Sequence, residues 1–481
     1  MIIALAKYST VIMNIIFAAI LSRLLTPSEY GILAVITVFT VFFSILCDMG
    51  LGSAVIQNKE LTEKDIASIF GFSLHLAIIL AIAFCVLSIP ISLVYNNEVY
   101  KPICFILSIA IIFDTANMVP NALLLKEKKF AIVGLRMLVV NIITGVLTVV
   151  LAIIGFKYYA LAFQSVIASV ITFIWNYRST KPRFQFRYDK KSIGKIKSYS
   201  GFQFGFSLVN YFSRNLDNLL IGKMMGVNEL AYYSKGYTLM LYPIANLTNV
   251  ITPVLQPILS EHQHDEKYIY DQYLKIVKIL SLIGIFIVAF CFTSAKDIIL
   301  IMFGNQWLAA VPYFKILSVS IWGQMIASSS GAIFQSLGDT KRLFKCGLIT
   351  TTLTICFIVA GVLYGSVYSV CYCVVLAYTI NFIITYIILI KYTFKYKLKS
   401  FFEILYKDLI IMFCMVVVIN NMSLSINNIV LSAVIKFFIC IILYITGLFL
   451  TNQGKYVTSL VNNVKTKFYK SNSSIEAKIE I

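Results

Sequence analysis

Fourteen apolar runs, each near the roughly 20 residues a helix needs to cross a bilayer, restrict this chain to one kind of fold. They lie at about residues 2–22, 32–55, 68–94, 103–125, 132–154, 158–177, 200–222, 236–259, 274–294, 307–335, 346–364, 367–390, 404–423 and 428–450. Within hydrocarbon a backbone must satisfy its own N–H and C=O groups, which leaves helices or a closed barrel. Barrel strands alternate apolar and polar residues over about ten positions, and these runs are longer and do not alternate. The expected fold class is an all-α integral membrane protein of about 14 transmembrane helices. With 59% hydrophobic and only 13% charged residues, a soluble globular protein is excluded.

The net charge of +19 would suggest nucleic acid in a soluble protein, but here its distribution decides. If the N-terminus is cytoplasmic, loops on that side and the C-terminal tail carry 30 Lys or Arg, and the opposite loops carry 6. That asymmetry fits the positive-inside rule with both termini in the cytoplasm, and it needs an even number of spans. The charge therefore speaks for membrane lipids as partners and not for nucleic acid. The first run abuts Arg23 and Pro27 and reads as a span, not as a cleaved signal. The ten Cys are scattered through apolar runs, Cys371 and Cys373 lack metal-ligand spacing, and His75, His262 and His264 give no zinc pattern, so no metal is expected.

The chain repeats itself at an interval of about 200 residues. The segment from Ser22 to Gly31 aligns with that from Gly222 to Ala231, keeping a basic residue (Arg23, Lys223), an apolar pair and a Glu (Glu29, Glu229). A second echo pairs residues 128–135 with 341–348. Six spans separate the copies, so both have the same orientation and are related by an axis along the membrane normal, with a cavity between two lobes. The expected organisation is an N-lobe at 1–177, a basic cytoplasmic linker at 178–199, a C-lobe at 200–390, two extra spans at 391–450 and a cytoplasmic tail at 451–481. The tail spaces Val457, Leu460, Val461, Val464 and Phe468 helically beside Lys, as an interfacial helix does.

The seventh run holds the densest polar cluster in the apolar sequence. Asn210, Arg214, Asp217 and Asn218 fall at i, i+4, i+7 and i+8, on one face of a helix, with Asn215 beside them. A charge at the centre of a spanning helix costs roughly 2.5–3.5 kcal/mol on insertion scales, so such groups face a protein interior or a watery cavity.

These segments resemble a known family. The run from Leu21 to Gly31 (LSRLLTPSEYG), the turn from Cys47 to Gly52 (CDMGLG), residues 56–62 (IQNKELT) and above all the run from Tyr211 to Gly222 (YFSRNLDNLLIG) look like the Wzx-type polysaccharide flippases. These belong to the multidrug/oligosaccharidyl-lipid/polysaccharide exporter superfamily, and the closest likeness is to the colanic acid and teichuronic acid exporters. Phe303 to Trp307 (FGNQW) and Ala310 to Pro312 continue it, so it covers roughly residues 15–345. The resemblance implies fourteen helices in two six-helix lobes plus two. It also implies transport of an undecaprenyl-diphosphate-linked oligosaccharide from the cytoplasmic to the outer leaflet of a bacterial cytoplasmic membrane, for capsule, exopolysaccharide, O-antigen or teichuronic acid export. A polysaccharide polymerase and other assembly proteins would be its partners.

A glycan crossing hydrocarbon needs a polar path, since each hydroxyl stripped of hydrogen bonds costs on the order of several kcal/mol. Arg214 offers paired donors to a diphosphate and the Asn amides suit sugar hydroxyls, while the alternative is that Arg214 and Asp217 neutralise each other. Asn246, Asn249 and Gln256, in a run interrupted by Pro243, Pro253 and Pro257, form a second polar stripe on a kinked helix, and Gln324 extends it. Arg23 and Lys223, at matching outer ends of the repeats, are candidate gates, with helix-end snorkelling as the alternative. Asp48 and Asp114 are candidates for a coupling ion, Na+ or H+, against a bland role in capping or buried hydrogen bonding; no other cofactor is expected. The eight basic residues of the linker either lie on anionic lipid or draw a diphosphate headgroup toward the cavity. Other readings are a cation-coupled multidrug-type exporter, which would favour acidic and aromatic lining, and a membrane-embedded polymerase or glycosyltransferase, which would carry a large loop with clustered acids or His. A scaffold would not need polar groups inside spans.

Overall fold

The computed structural model describes residues 2–48, 51–58, 60–185, 189, 211, 214–263, 265–422, 426 and 428–453, without the side chains of 2–7, 48, 53, 247–254 and 256–258. Asn210, most of the linker and the expected tail helix lie outside the described residues, as do the side chains of Asp48, Asn249 and Gln256. Among the described residues the chain is all helix: α1 Ile2–Leu24, α2 Pro27–Asp48, α3 Leu51–Gln57, α4 Glu63–Tyr95, α5 Tyr100–Lys126, α6 Phe130–Ile154 and α7 Tyr158–Thr180. There follow α8 (214–224), α9 Val227–Ser260, α10 Glu266–Thr293, α11 Ala295–Phe303, α12 Ala310–Ser318, α13 Ile321–Ala327 and α14 Ser330–Ser336. The last are α15 Thr340–Leu363, α16 Val367–Tyr386, α17 Leu398–Asn421 and α18 Ile429–Leu450. Nine described helices are long and apolar enough to cross a membrane, and α12 with α13–α14 adds one broken span. The chain is an integral membrane protein of the expected helical class.

Local sequence explains where helices start. Thr26-Pro27-Ser28-Glu29 is a capping box with Pro at the first helical position: Glu29 Oε2 accepts from the Thr26 N–H at 2.8 Å, and Thr26 Oγ1 accepts from the Glu29 N–H at 3.4 Å. Thr62 and Asp65 form the same box at the head of α4. Two segments of the resemblance thus owe their spacing to helix capping.

One expected span is differently built. The run at 307–335 is broken, bending by 48° between α12 and α13. Serines sit at this break and at the next joint. Ser318 and Ser320 at the break, and Ser328, Ser329 and Ser330 at the joint of α13 and α14, each turn the hydroxyl back onto a carbonyl three residues earlier, at 2.7–2.8 Å. Tyr386 adds a bond from its hydroxyl to the Ile326 carbonyl at 3.0 Å.

The chain divides into two compact units, Met1–Leu239 with Ile299–Phe314 and Leu348–Ala377, and Met240–Ile298 with Lys315–Gly347 and Tyr378–Ile481. In the first, α5 lies against α4, α7 and α2, and α1 against α6. In the second, α10 packs on α13, α17 and α18. Buried ion pairs fasten the last two helices there: Lys278 Nζ to Asp408 Oδ1 at 2.6 Å, and Lys436 Nζ to Asp297 Oδ2 at 2.6 Å. Asp408 is fully buried, and its other oxygen accepts from Ser281 Oγ at 2.6 Å. Trp322 Nε1 donates to Ser281 Oγ at 2.9 Å, so α10, α13 and α17 meet in one chain of hydrogen bonds.

Removing one partner of a buried pair strands the other. Lys278→Met should destabilise the purified protein by about 3–5 kcal/mol, and adding Asp408→Leu should recover most of it. Thermal unfolding of the three forms checks this; a double variant no better than the single would show that the pair is not one unit.

Candidate functional site

In the first unit, a cavity of about 340 Å³ opens between α2, α3 and α5 and is lined by Ser44, Cys47, Asp114, Asn117 and Asn121 among others. An adjoining space of about 180 Å³ shares Ser44, Cys47 and Asp114 and reaches Ser165 of α7. Asp114, Asn117 and Asn121 stand at i, i+3 and i+7 on α5, hence on one face. The Asp114 side chain is exposed to this space although it sits midway along a transmembrane helix.

Behind that wall is a buried arginine. Arg136 of α6 donates through Nη1 to Asn121 Oδ1 at 3.1 Å and to Asn176 Oδ1 at 2.5 Å, and Asn176 Nδ2 donates to Asn117 Oδ1 at 2.7 Å. A guanidinium can only donate, so it fixes the amide oxygens of Asn121 and Asn176 toward itself. Asn176 must then turn its NH2 to Asn117, whose oxygen is taken in turn. Both cavity asparagines are left with NH2 donors to present, beside a carboxylate that can only accept when ionised. Neither Arg136 nor Asn176 is a site residue that the sequence pattern singles out. Arg136 and Lys278 fall inside the apolar runs at 132–154 and 274–294, and the structure buries both within helices.

The polar cluster of α8 divides. Asp217 is buried, accepts from the Tyr233 hydroxyl of α9 at 2.6 Å and from the Asn218 N–H at 2.8 Å, and makes no ion pair with Arg214. Arg214 is exposed and, among the described residues, has no ion pair. Asn215 Nδ2 donates to the Tyr211 carbonyl at 3.0 Å, and the Asn218 Oδ1 is buried without a hydrogen-bond partner among the described residues. In the second unit, α9 runs unbroken through Pro243 to Ser260. There Asn246 Nδ2 donates to the Tyr242 carbonyl of its own helix at 2.9 Å, and Gln324 Nε2 donates to Ser320 Oγ at 2.8 Å beside Met240 of α9. His75 Nδ1 lies 2.8 Å from the Gly71 carbonyl, as a satisfied core histidine. Among the described residues no His, Cys, Asp and Glu group is placed to hold a metal ion.

The repeated segments meet at the α1–α2 end of the first unit. Arg23 Nη2 donates to the Ile301 carbonyl near the end of α11 at 2.6 Å, and Lys223 Nζ donates to the Val94 carbonyl at the end of α4. Gln306 Nε2 and Trp307 Nε1 bond back to α1, to the carbonyls of Leu25 at 3.0 Å and Ser22 at 2.8 Å. Gly304, at φ +92, makes the turn that delivers them. Lys235 donates to Ser22 Oγ at 2.8 Å and lies over the rings of Tyr30, Phe303 and Trp307, 3.7–5.0 Å from their centroids.

Residues 20–312, more than half of the chain, match the family model described as "Polysaccharide biosynthesis protein". The chain belongs to that family. Its similar relatives include the "Teichuronic acid biosynthesis protein TuaB" of Bacillus subtilis (strain 168), 24% identical over 69% of each chain. Another is the "Lipopolysaccharide biosynthesis protein WzxC" of Escherichia coli (strain K12), 22% identical over 74% of this chain and 73% of that one. Among solved structures, "Lipid II flippase MurJ, inward closed conformation" superposes with a TM-score of 0.74 over 92% of this chain and 97% of that one, at 15% identity. That likeness is one of fold.

The close meeting of the repeats is itself testable. A Cβ on Gly31 would stand 1.9 Å from the Val227 carbonyl oxygen at the head of α9. Gly31→Ala should cost about 1–3 kcal/mol by overpacking, read as a lower thermal midpoint; unchanged stability would show that the two turns are not in contact.

Proposed function

We propose that this protein flips a polyprenyl-diphosphate-linked oligosaccharide from the cytoplasmic to the outer leaflet of a bacterial cytoplasmic membrane, supplying a surface polysaccharide and its polymerase. The observation that carries this is the wall of Asp114, Asn117 and Asn121, polarised from behind by Arg136, inside helices long enough to span a bilayer. A sugar ring presents hydroxyls that both donate and accept, and a wall of paired NH2 donors next to a carboxylate offers both functions in water's place. A lipid tail can remain in the bilayer while such a wall carries the headgroup.

In this reading two six-helix lobes, 1–177 and 200–390, rock against each other, the helices at 391–450 ride on the second, and both termini are cytoplasmic. The names of TuaB and WzxC and the MurJ-like fold support it. Arg214, exposed and without an ion pair among the described residues, meets the diphosphate as the headgroup enters. Asp114, open to the cavity, is where a coupling ion, Na+ or H+, would bind; one charge crossing 100 mV supplies about 2.3 kcal/mol.

The test is the outer-leaflet appearance of labelled polyprenyl-diphosphate oligosaccharides in proteoliposomes. Each lost hydrogen bond is worth about 0.5–1.5 kcal/mol, so Asn117→Leu with Asn121→Leu should slow transport roughly tenfold while the protein stays folded. Arg214→Ala should slow it as well. Folded wild type that moves none of several glycans would sink the reading, and a double leucine variant as fast as wild type would remove this wall from the glycan's path.

A further inference from the structure

We propose that Arg23 and Lys223 form a reciprocal latch across the outer mouth and that the same two cations, once released, bind the diphosphate of the departing lipid carrier. The outer placement and the ligand rest on the function proposed above; the latch rests on geometry. Arg23 belongs to the first repeat and grips α11 of the second, through the Ile301 carbonyl. Lys223 belongs to the second repeat and grips α4 of the first, through the Val94 carbonyl. The gripped ends correspond, since α4 begins at Glu63 and its counterpart, α10 continued by α11, begins at Glu266. Each repeat thus holds the other by the same device.

The partners are what make this a latch. Both cations sit on carbonyls at helix C-termini, where the helix dipole is negative and the last C=O groups lack helical partners. Among the described residues neither has a carboxylate, because the acids at this end are engaged. Glu29 caps α2, Glu229 accepts from the Tyr313 hydroxyl at 2.5 Å, and Glu98 is bonded to Lys101 at 2.5 Å. That bond, with the charge of Lys101, holds the Glu98 carboxyl below its usual range. Lys235 is a third cation, held by a hydroxyl and aromatic faces. Arg23 and Lys223 are exposed, so an anion can reach them without prior unfolding.

A phosphate offers each cation a full opposite charge and several acceptor oxygens, where a carbonyl offers a neutral dipole. A diphosphate arriving at the mouth therefore displaces the carbonyls, frees α4 and α11, and opens its own exit. When it leaves, the cations return to the helix ends and the mouth closes.

Hydrogen exchange of the full-length protein in lipid nanodiscs tests this without transport. The amides of Asn96 and Asn97 at the end of α4, and of Gly304 and Trp307 after α11, are the reporters. Arg23→Gln should speed exchange at Gly304 and Trp307, and Lys223→Gln at Asn96 and Asn97, by roughly two- to fivefold, each effect falling in the other repeat. Lys223→Arg should restore the wild-type rate. Inorganic diphosphate and farnesyl diphosphate should reproduce both accelerations in wild type and add nothing in the double Gln variant.

Unchanged exchange in the Gln variants, or acceleration confined to the substituted residue's own helix, would overturn the latch. An equal response to phosphatidylglycerol at the same phosphate concentration, or none to diphosphate, would overturn the ligand. Failed glycan transport with this exchange pattern intact would sink the proposed function and leave the latch standing.

Discussion

A helix end or break inside a bilayer leaves carbonyls that no water can reach, and much of this structure consists of the ways they are met. Ser318 and Ser320 fold back on carbonyls at the bend after α12, and at the joint of α13 and α14 Ser328, Ser329 and Ser330 do the same while Tyr386 reaches the Ile326 carbonyl. Gln306 and Trp307 serve the end of α1 in the same way, which gives the FGNQW segment a structural role. Its glycine turns the chain, and its last two side chains close off another helix. Where the acceptor lies at the surface end of a helix, the donor is a cation, Arg23 or Lys223.

The fold is legible because hydropathy acts over whole runs of 20 residues, and errors in single positions average out. What hydropathy cannot see is a run that is apolar throughout but broken, as at 307–335, where the serines are small enough to count as neutral. The repeat is read from a basic residue, an apolar pair and a Glu; in the structure both basic residues are helix-end donors, while Glu29 caps a helix and Glu229 accepts from Tyr313. The site is only half legible. Asp114, Asn117 and Asn121 can be placed on one face by counting, but Arg136 and Asn176 come from α6 and α7 and meet them only in the fold. Arg136 lies inside the run at 132–154, but its partners are 15 and 40 residues away along the chain and no spacing within one helix points to them. The pairing of Arg214 with Asp217 fails because Tyr233, 16 residues on, reaches the carboxylate first.

Arg136 also shows why a charge can be kept where it is costly. It has no carboxylate in an ion pair among the described residues and little exposure, yet its direct partners are amide oxygens whose own NH2 groups are thereby aimed elsewhere. A neutral residue of the same size would leave Asn117 and Asn121 free to flip, and the wall would present donors and acceptors at random. The cation buys a fixed polarity, and polarity is what a wall that handles hydroxyls must hold constant.

The way cations are partnered separates the fixed joints of this protein from the ones proposed to move. Lys278 and Lys436, in the second unit, are paired with carboxylates at 2.6 Å and little exposed, so their separation would strand two charges in a poor solvent. Such joints stay shut, and they bind α17 and α18 to the helices beside them. Arg23, Lys223 and Lys235, in the first unit, rest on carbonyls, a hydroxyl and aromatic rings. Each of those partners is neutral, so parting them strands no second charge, and Arg23 and Lys223 are exposed, so an anion can reach them. A protein that needed only stability at this mouth would gain by placing a carboxylate opposite each cation, and Glu29, Glu98 and Glu229 lie in the same segments yet are committed elsewhere. The absence of ion pairing among these described groups is therefore what a reversible closure requires: contacts strong enough to seat two helix ends, and weak enough for a phosphate to replace.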